Sequence, residues 1–423
     1  MRRLWKIALI GLIGLAWGWA GHDAWAAELK PGTIISAQNL DTIKGDTFER
    51  HTIASLLTER LEWQVRTQGL KIKLRHSEEL PMDPRYVEAT KKYAKDVKYD
   101  PKTRLVTGYK AGLPFPNLDT NDPNLGDKLI WNYHWGAPSG TVQDIPKFYF
   151  LLIDGRKGLE RAQTWFYLRY YFKGRLTGNP IEGDGSIYTK TLIFATHPRD
   201  IRGLGTFTIA YDTGKVDDNW AYIKTVRRTR RLSGGAWMDP IGGLDQLNDD
   251  VEVFNAFPTW YPKYKVLGKR WVLAVAHSEQ PTVDVSKEGT PEEYARVDLK
   301  TPPYWNLMDS WEPREVWVIE ATTPPEHPYS KKVLYMDTKF PRFYFSETYD
   351  RKGEFWKFIN FTLRPMKTEE GGNVVESAVG QTIDFQRRHA TIFLIHPSFK
   401  INTPGVTPDK VTLGVLEAAG QGK

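Results

Sequence analysis

The densest group of oxygen-bearing side chains in the chain lies in one short segment. Its members are Asp245, Asn248, Asp249, Asp250 and Glu252. Carboxylate and amide oxygens at this density could bind calcium, although their spacing does not match a calcium-binding loop. The competing interpretation, which we favour, is a solvated turn whose carboxylates cap the segment that follows.

A second polar group is the run from Arg227 to Arg231, which only Thr229 interrupts. If the run is a β-strand, Arg228 and Arg230 share one face, because alternate side chains point the same way. Such a pair could bind a lipid phosphate head group or an acidic partner. The alternative is a solvated edge strand whose charge opposes aggregation.

The usual signatures of catalysis do not occur in the sequence. It has no Gly-x-Ser-x-Gly elbow, no His-Glu-x-x-His motif and no glycine-rich phosphate loop with its lysine. Among the nine histidines, His389 and His396 flank one predicted strand, but their odd separation places them on opposite faces. We therefore predict no catalytic residue, no metal site and no cofactor.

The N-terminus has the pattern of an export signal. The basic segment 1–6 precedes an apolar run over 7–20, and Ala24-Trp25-Ala26 offers a small-x-small cleavage site. The apolar run is short for a membrane-spanning helix of about 20 residues. We therefore expect residues 1–26 to be removed as a signal peptide and the mature chain to be exported.

Composition narrows the class of protein further. The sequence contains no cysteine, which excludes a disulfide-linked partner, and a chain of this length can bury a sufficient core without disulfides. Loss of the signal removes three basic residues and Asp23, which lowers the formal net charge from +7 to +5. A charge this mild on an exported chain argues against nucleic-acid binding.

The mature chain has helical patterns first and strand patterns afterwards. Apolar residues recur at helical spacing over 47–68, and Asp83-Pro84 and Asp122-Pro123 both have the composition of a helix start. From 147 to 396, short apolar runs alternate with turn residues, as in antiparallel sheets. We predict a mainly β (α+β) protein with a single domain, helices mainly in 47–135 and antiparallel strands beyond them.

The strand pattern is clearest between 311 and 363, where four aromatic-rich runs form a predicted antiparallel meander. The turn at 350–353 fits a three-residue hairpin loop with Gly353 in the left-handed conformation, which pairs Tyr349 with Phe355. Counting outward from this turn places Glu347 opposite Lys357 and predicts one apolar face. That face consists of Phe343, Phe345, Tyr349, Phe355, Ile359 and Phe361.

The predicted apolar face has two interpretations. It can be packed core, as aromatic stripes usually are, or it can line a cavity for a hydrophobic ligand. A lipid chain gains about 0.8 kcal/mol for each methylene that leaves water, so an apolar cavity with a few polar groups at its mouth suffices. The predicted helix over 47–68 could cover such a surface as a lid.

Six strings of sequence then occur in a specific order. They are residues 111–116, 122–124 with 131–133, 227–231, 249–255, 327–335 and 349–354. Together they resemble the domain-of-unknown-function family 1329, a family of exported proteins of Gram-negative bacteria, over nearly the whole mature chain.

The resemblance implies a fold similar to the lipoprotein carriers of the Lol pathway. That fold is a strongly curved antiparallel sheet, or half-barrel, closed by N-terminal helices around a hydrophobic cavity. It also implies a non-enzymatic periplasmic carrier or binding protein for a lipid or other hydrophobic molecule. The implied partner is an inner-membrane transporter of the resistance-nodulation-division type, and the family brings no catalytic residues.

Three other functions remain open at the level of sequence. The first is an assembly subunit of an envelope complex, with all apolar faces buried in its core and Arg228 and Arg230 docked on a partner. The second is an outer-membrane barrel, which also has alternating aromatic strands. The third, which we favour least, is a hydrolase that uses Asp249 and Asp250.

Overall fold

The computed structural model describes residues 26–136 and 140–422 of the chain. The predicted signal peptide therefore lies almost entirely outside the described residues. Within the described ranges, no helix has the length and apolar character that a membrane crossing requires. The α-helices of these ranges are α1 (Leu40–Ile43), α2 (Ile53–Leu56), α3 (Glu59–Thr67), α4 (Pro84–Tyr93), α5 (Leu125–Gly136) and α6 (Leu413–Gln421).

Strands make up most of the remaining regular structure. The first twelve are β1 (Ile34–Ile35), β2 (Thr47–Phe48), β3 (His51–Thr52), β4 (Ile72–Leu74), β5 (Lys98–Tyr99), β6 (Val106–Thr107), β7 (Val142–Asp154), β8 (Gly158–Tyr171), β9 (Ile187–His197), β10 (Gly205–Tyr211), β11 (Asp218–Ile223) and β12 (Arg228–Arg231). The others are β13 (Lys263–Ala274), β14 (Val297–Asp298), β15 (Asn306–Leu307), β16 (Ser310–Thr322), β17 (Lys331–Asp337), β18 (Phe343–Tyr349), β19 (Phe355–Lys367), β20 (Asn373–Asp384), β21 (His389–Ile395) and β22 (Lys400–Ile401).

Sixteen of these strands form one curved sheet. Its order is β1-β4-β16-β17-β18-β19-β20-β21-β7-β8-β9-β10-β11-β12, with β13 also paired to β16 and β22 to β7. The predicted meander is the centre of the sheet, and β7 to β12 extend it beyond β21. All pairs are antiparallel except β4 with β16. The prediction of a mainly β fold with a large curved antiparallel sheet and helices early in the chain is confirmed.

The hairpin between β18 and β19 has the predicted turn. Gly353 has a φ of 82°, and Tyr349 pairs with Phe355. A β-bulge follows at once between Thr348 and Tyr349, because Thr348 pairs with Lys357. An extra residue on one strand moves every later side chain of that strand to the other face. The predicted register is therefore wrong beyond the first pair.

The bulge separates the two residues that we expected to form an ion pair. Glu347 lies opposite Phe358, and its carboxylate accepts a hydrogen bond from Thr58 at 2.9 Å. Lys357 points to the other side of the sheet and donates to the carbonyl of Asp245 at 2.6 Å. The six residues of the predicted apolar face divide accordingly. Phe345, Tyr349 and Phe355 pack on one side, and Phe343, Ile359 and Phe361 pack on the other.

Different parts of the chain cover the two sides of the central sheet. Helices α2 and α3 cover one side, where Ile53 and Leu61 pack in a cluster with Phe358. Helix α5 and the segment 236–261 cover the other, where Ile359 packs. We call the second side the cavity face. Each of these buried apolar side chains contributes about 1.5–3 kcal/mol by leaving water.

The helix predicted over 47–68 is interrupted and lies opposite the cavity face. Leu57 and Thr58 are extended, with ψ angles of 130° and 161°, and they separate α2 from α3. The prediction that this helix covers a ligand cavity as a lid is therefore wrong. Helix α5 takes that position instead.

Thr58 connects the start of α3 to the sheet, which makes it a test of this packing. Its hydroxyl accepts from the N–H of Leu61 at 3.0 Å and donates to Glu347 at 2.9 Å. Thr58→Ala removes a helix cap and a hydrogen bond to a buried carboxylate, so we expect a loss of about 2–4 kcal/mol. Urea unfolding measures this loss. Thr67→Ala, an exposed position on the same helix, should cost less than about 0.5 kcal/mol, and equal losses for the two variants would contradict the assignment.

Candidate functional site

A cavity of about 390 Å³ lies between the cavity face of β8 to β11, helix α5 and the segment 236–261. This volume falls in the range of about 300–1,000 Å³ that is typical of small-molecule sites. A second cavity of about 90 Å³ shares Tyr167, Ile193 and Glu252 with the first, so the two adjoin. Phe361 and Phe393 line the smaller one.

Alternate residues of four neighbouring strands form the floor of the larger cavity. Strand β8 contributes Arg169, which is aligned with Thr191 of β9, and Thr191 is aligned with Thr208 of β10. Thr189 lies two residues from Thr191 and is aligned with Ala210, and Thr206 lies two residues from Thr208 on the other side of that pair. The floor is therefore a row of small hydroxyl side chains beside one arginine.

Aromatic side chains form the walls. Helix α5 contributes Tyr133 and His134, and the segment 236–261 contributes Phe254 and Phe257. The ring of His134 lies 4.7 Å from that of Tyr188 and 5.3 Å from that of Phe257. Burial, with a smaller contribution from the charge of Lys173, lowers the pKa of His134 to about 3. The imidazole is therefore neutral and adds to the uncharged wall.

Arg169 is the charged group of the floor. Its Nε donates to the hydroxyl of Thr191 at 3.0 Å, and its guanidinium carbon lies 5.3 Å and 5.9 Å from the ring centres of Tyr167 and Tyr171. Cation–π contacts at such distances fix the position of the charge. None of the carboxylates in the described ranges forms an ion pair with Arg169.

A second arginine at the cavity is paired. Arg342 lies 2.8 Å from Glu252 and 3.4 Å from Glu376. Glu252 has a φ of 53°, which is uncommon for a residue other than glycine and is typical of strained functional segments. The hydroxyl of Tyr133 donates to the carbonyl of Glu252 at 3.1 Å, and this bond connects α5 to the segment 236–261.

Asp217 also lines the cavity, just before β11. Burial raises its pKa to about 7, against the opposing effects of a backbone hydrogen bond and of the positive charge of Arg169. The carboxyl group is therefore partly protonated near neutral pH. The cavity thus contains one arginine without an ion pair and one aspartate that is partly ionised near neutral pH.

The exposed lining residues mark the mouth of the cavity. They include Leu232, Pro240 and Gly242, which follow the arginine strand β12. Because Arg230 pairs with Ala221 of the floor, Arg228 and Arg230 lie on the cavity face at the edge of the sheet. Both are exposed and form no ion pair within the described ranges. The prediction that they share one strand face is confirmed.

The six predicted ligand-binding residues mostly lie away from these cavities. Phe361 lines the smaller cavity. The other five, Phe343, Phe345, Tyr349, Phe355 and Ile359, line neither of the two and belong to packed clusters. Their role in binding a ligand stays a prediction.

The aspartates proposed for calcium form a buried network instead. The ammonium of Lys332 lies 2.9 Å from Asp249 and 2.8 Å from Asp250. Tyr261 donates to Asp249 at 2.5 Å, and Tyr329 donates to Asp250 at 2.7 Å. All of these side chains are buried, so the expectation of a solvated turn is wrong. The ammonium occupies the place that a metal cation would need.

Histidine completes the network. The Nδ1 atom of His327 accepts from the N–H of Tyr329 at 3.0 Å, so the proton resides on Nε2, which lies 3.2 Å from Asp249. Burial opposes ionisation of Asp249, but Lys332 and His327 outweigh it and hold the pKa of Asp249 below its usual value. The described ranges contain no cluster of three His, Cys, Asp or Glu side chains that could bind a metal.

A model of the family described as "Protein of unknown function (DUF1329)" matches residues 34–405. The chain belongs to this family. No curated protein matches it.

Three similar solved structures have low sequence identity to the chain. A DUF1329 family protein from Desulfovibrio piger is 15% identical, with a TM-score of 0.47 and coverage of 68% of this chain and 96% of that one. A putative outer membrane lipoprotein-sorting protein domain from Vibrio parahaemolyticus is 16% identical, with a TM-score of 0.46 and coverage of 69% and 97%. A LolA superfamily protein from Nitrosomonas europaea is 12% identical, with a TM-score of 0.40 and coverage of 68% and 96%.

Three of the strings that resemble the DUF1329 family meet at the Lys332 network. Asp249 and Asp250 come from one string, and His327 and Lys332 come from another. Arg351, from the hairpin string, donates to the carbonyl of His327 at 2.7 Å. Residues from these three strings therefore form or contact the buried Lys332 network.

Sequence reasoning missed Arg169 and Asp217. A signal for Arg169 existed, because it is the single charged residue between Trp165 and Phe172. The signal was ambiguous because aromatic side chains occupy both faces of this strand. Asp217 had no distinguishing pattern, since it lies in a polar turn next to Asp218.

Lys332→Met tests whether the network holds the wall of the cavity. The change leaves two buried carboxylates without their cation, so we expect a loss of about 3–5 kcal/mol in the free energy of unfolding. Lys331→Met is the matched control, because that side chain is 39% exposed and pairs with Glu320 at the surface, where an ion pair contributes about 0–1 kcal/mol. Equal losses in urea unfolding of the two variants would contradict this role.

Proposed function

We propose that the protein is a non-enzymatic periplasmic carrier or binding protein for a lipid or other hydrophobic molecule, held in the cavity of about 390 Å³. The observation that carries the proposal is this cavity between the sheet, α5 and the segment 236–261. Aromatic walls from α5 and the segment 236–261 cover the sheet there, and the opening lies beside 232–242. The exported location is the expectation from the N-terminal signal.

The energetics agree with an amphipathic ligand. Ten buried methylenes would gain about 8 kcal/mol. Association removes at least about 4 kcal/mol through lost translation and rotation. The remainder corresponds to a dissociation constant near 1 mM, so tighter binding needs polar contacts as well. The arginine and the threonines of the floor can supply them.

The polar groups of the cavity support a role without catalysis. Glu252 is engaged by Arg342, and His134 is neutral and enclosed by rings. A general base must lie within hydrogen-bond reach of the group from which it takes a proton. No nucleophilic side chain is paired with such a base among the cavity residues of the described chain.

The arginine edge suggests how a ligand reaches the cavity. Arg228 and Arg230 lie on the cavity face, and the exposed apolar side chains of Val226 and Leu232 flank their strand. Cations beside exposed apolar groups suit the surface of a membrane that contains anionic lipids. We propose that β12 contacts such a surface during ligand transfer. The transporter partner that the resemblance implies stays a prediction.

Filling the cavity tests the binding proposal. Ala210 lines the floor, so Ala210→Phe should lower the affinity for a hydrophobic probe, N-phenyl-1-naphthylamine, at least about tenfold by occupying the space. Fluorescence titration measures the affinity, and native mass spectrometry of protein from the periplasm detects a ligand that copurifies. Ala54→Phe, at an exposed position of α2, is the control. Unchanged binding by Ala210→Phe would place the probe elsewhere.

Charge reversal tests the arginine edge. Each basic residue near an anionic membrane contributes about 1 kcal/mol, so Arg228→Glu with Arg230→Glu should weaken binding to phosphatidylglycerol vesicles at least about tenfold. Cosedimentation at low and high salt measures this. Arg156→Glu reverses an exposed charge in the turn after β7 and should have little effect. If the protein binds neutral and anionic vesicles equally, the edge serves another purpose, such as an acidic protein partner.

A further inference from the structure

We propose that the molecule bound in the cavity carries an anionic oxygen group, a carboxylate or a phosphate, and that Arg169 binds this group. The inference rests on the proposed carrier function and names the chemical class of its ligand. It assigns to Arg169 the role of a head-group receptor inside the cavity. The apolar part of the ligand would then lie among the aromatic walls.

The first argument compares the two arginines of the cavity. Arg342 has two carboxylate partners, Glu252 and Glu376. Arg169 has none among the described residues, although it lies in the floor beneath α5 and the segment 236–261. Arg169 is half-buried, and a guanidinium partly removed from water is less stable without an ion-pair partner. A ligand anion would supply the counter-charge.

The second argument is the geometry around Arg169. Thr191 takes its Nε–H, and the rings of Tyr167 and Tyr171 hold the group from positions two residues away on the same strand. The hydroxyls of the two tyrosines are weak acceptors compared with a carboxylate. The Nη edge of a guanidinium presents parallel N–H groups that suit two oxygens of one anion.

The third argument is the floor around the arginine. The hydroxyls of Thr189 and Thr206 line the cavity and have no hydrogen-bond partner among the side chains and backbone of the described residues. Thr189 lies on β9, the strand next to Arg169, and Thr206 lies one strand further away on β10. Each hydroxyl can donate to an oxyanion. Thr191 can also donate its own hydrogen while it accepts from Arg169.

Asp217 provides a second way to test the role of the Arg169 charge. It lines the cavity and interacts electrostatically with Arg169 without forming an ion pair. A carboxylate here competes with a ligand anion for the positive field of Arg169. Asp217→Asn removes the competitor and leaves the size of the side chain nearly unchanged.

The experiment compares dodecanoic acid with 1-dodecanol, which share one chain and differ in the head group. Titration calorimetry at pH 8 gives the two affinities for the full mature protein. Arg169→Gln should weaken binding of the acid about ten- to a hundredfold and that of the alcohol less than about threefold. Asp217→Asn should strengthen binding of the acid severalfold and leave the alcohol unchanged. Arg156→Gln, an exposed arginine, is the matched control.

The outcomes separate this inference from the proposed function. If acid and alcohol bind equally and neither variant changes the ratio, the head-group inference is overturned while the carrier function stands. If neither ligand binds the wild type, the carrier function itself fails. Dodecyl phosphate binding that also depends on Arg169 supports the inference and widens the ligand class. If Arg169→Gln does not fold, Asp217→Asn decides, because an unchanged acid affinity there overturns the inference.

Discussion

The pairing of one buried ammonium with two carboxylates holds the cavity face together. Lys332 projects from β17 between Asp249 and Asp250, which belong to the segment 236–261. All three side chains are inaccessible to solvent, so each charge is stabilised by its partners and not by water. Separating them would leave an uncompensated buried charge. The segment must therefore dock on the sheet as a unit. Its docked position creates the wall that encloses the cavity.

The strained backbone beside the network follows from the same constraint. Glu252 and Val253 both have positive φ, which costs of order 1–3 kcal/mol each. The Lys332 ammonium also donates to the carbonyl of Asp249, which stabilises the segment just before this turn. The turn directs the Glu252 carboxylate to Arg342, and its carbonyl accepts from Tyr133 of α5. The ion pairs thus stabilise a strained turn at Glu252 and Val253, and this turn holds α5 over the cavity through Tyr133.

Local signals in the sequence identified much of the fold. The strands β7 to β10, the hairpin turn at Gly353 and the helix start at Asp83 all follow from patterns within a few residues. The helix predicted from Asp122-Pro123 begins slightly later, at Leu125. The register of β18 with β19 did not, because no residue near Thr348 signals the bulge that moves Lys357 to the other face. One inserted residue was enough to divide the predicted apolar surface.

The alternating pattern of hydrophobic residues could not locate the cavity, for a different physical cause. Its floor belongs to strands that are covered on both faces, since helix α6 and its cluster cover the side opposite to Tyr167 and Arg169. An alternating pattern reports inside and outside only when one face meets water. The partners of Lys332 lie about eighty residues away in sequence. Such long-range pairs leave no mark on local composition.

Comparison of Lys332 with Arg169 separates structural charge from charge that is available for binding. Both cations lie on the cavity side of the sheet. Lys332 forms ion pairs with two carboxylates, whereas Arg169 contacts a threonine and two aromatic rings and forms no ion pair with a described residue. The segment 236–261 neutralises Lys332 and at the same time forms a wall of the cavity in which the half-buried Arg169 lies. Folding therefore neutralises Lys332 within the protein and leaves Arg169 available for a ligand anion. A guanidinium held this way discriminates among hydrophobic molecules by their acidic groups, since apolar walls alone accept any chain that fits.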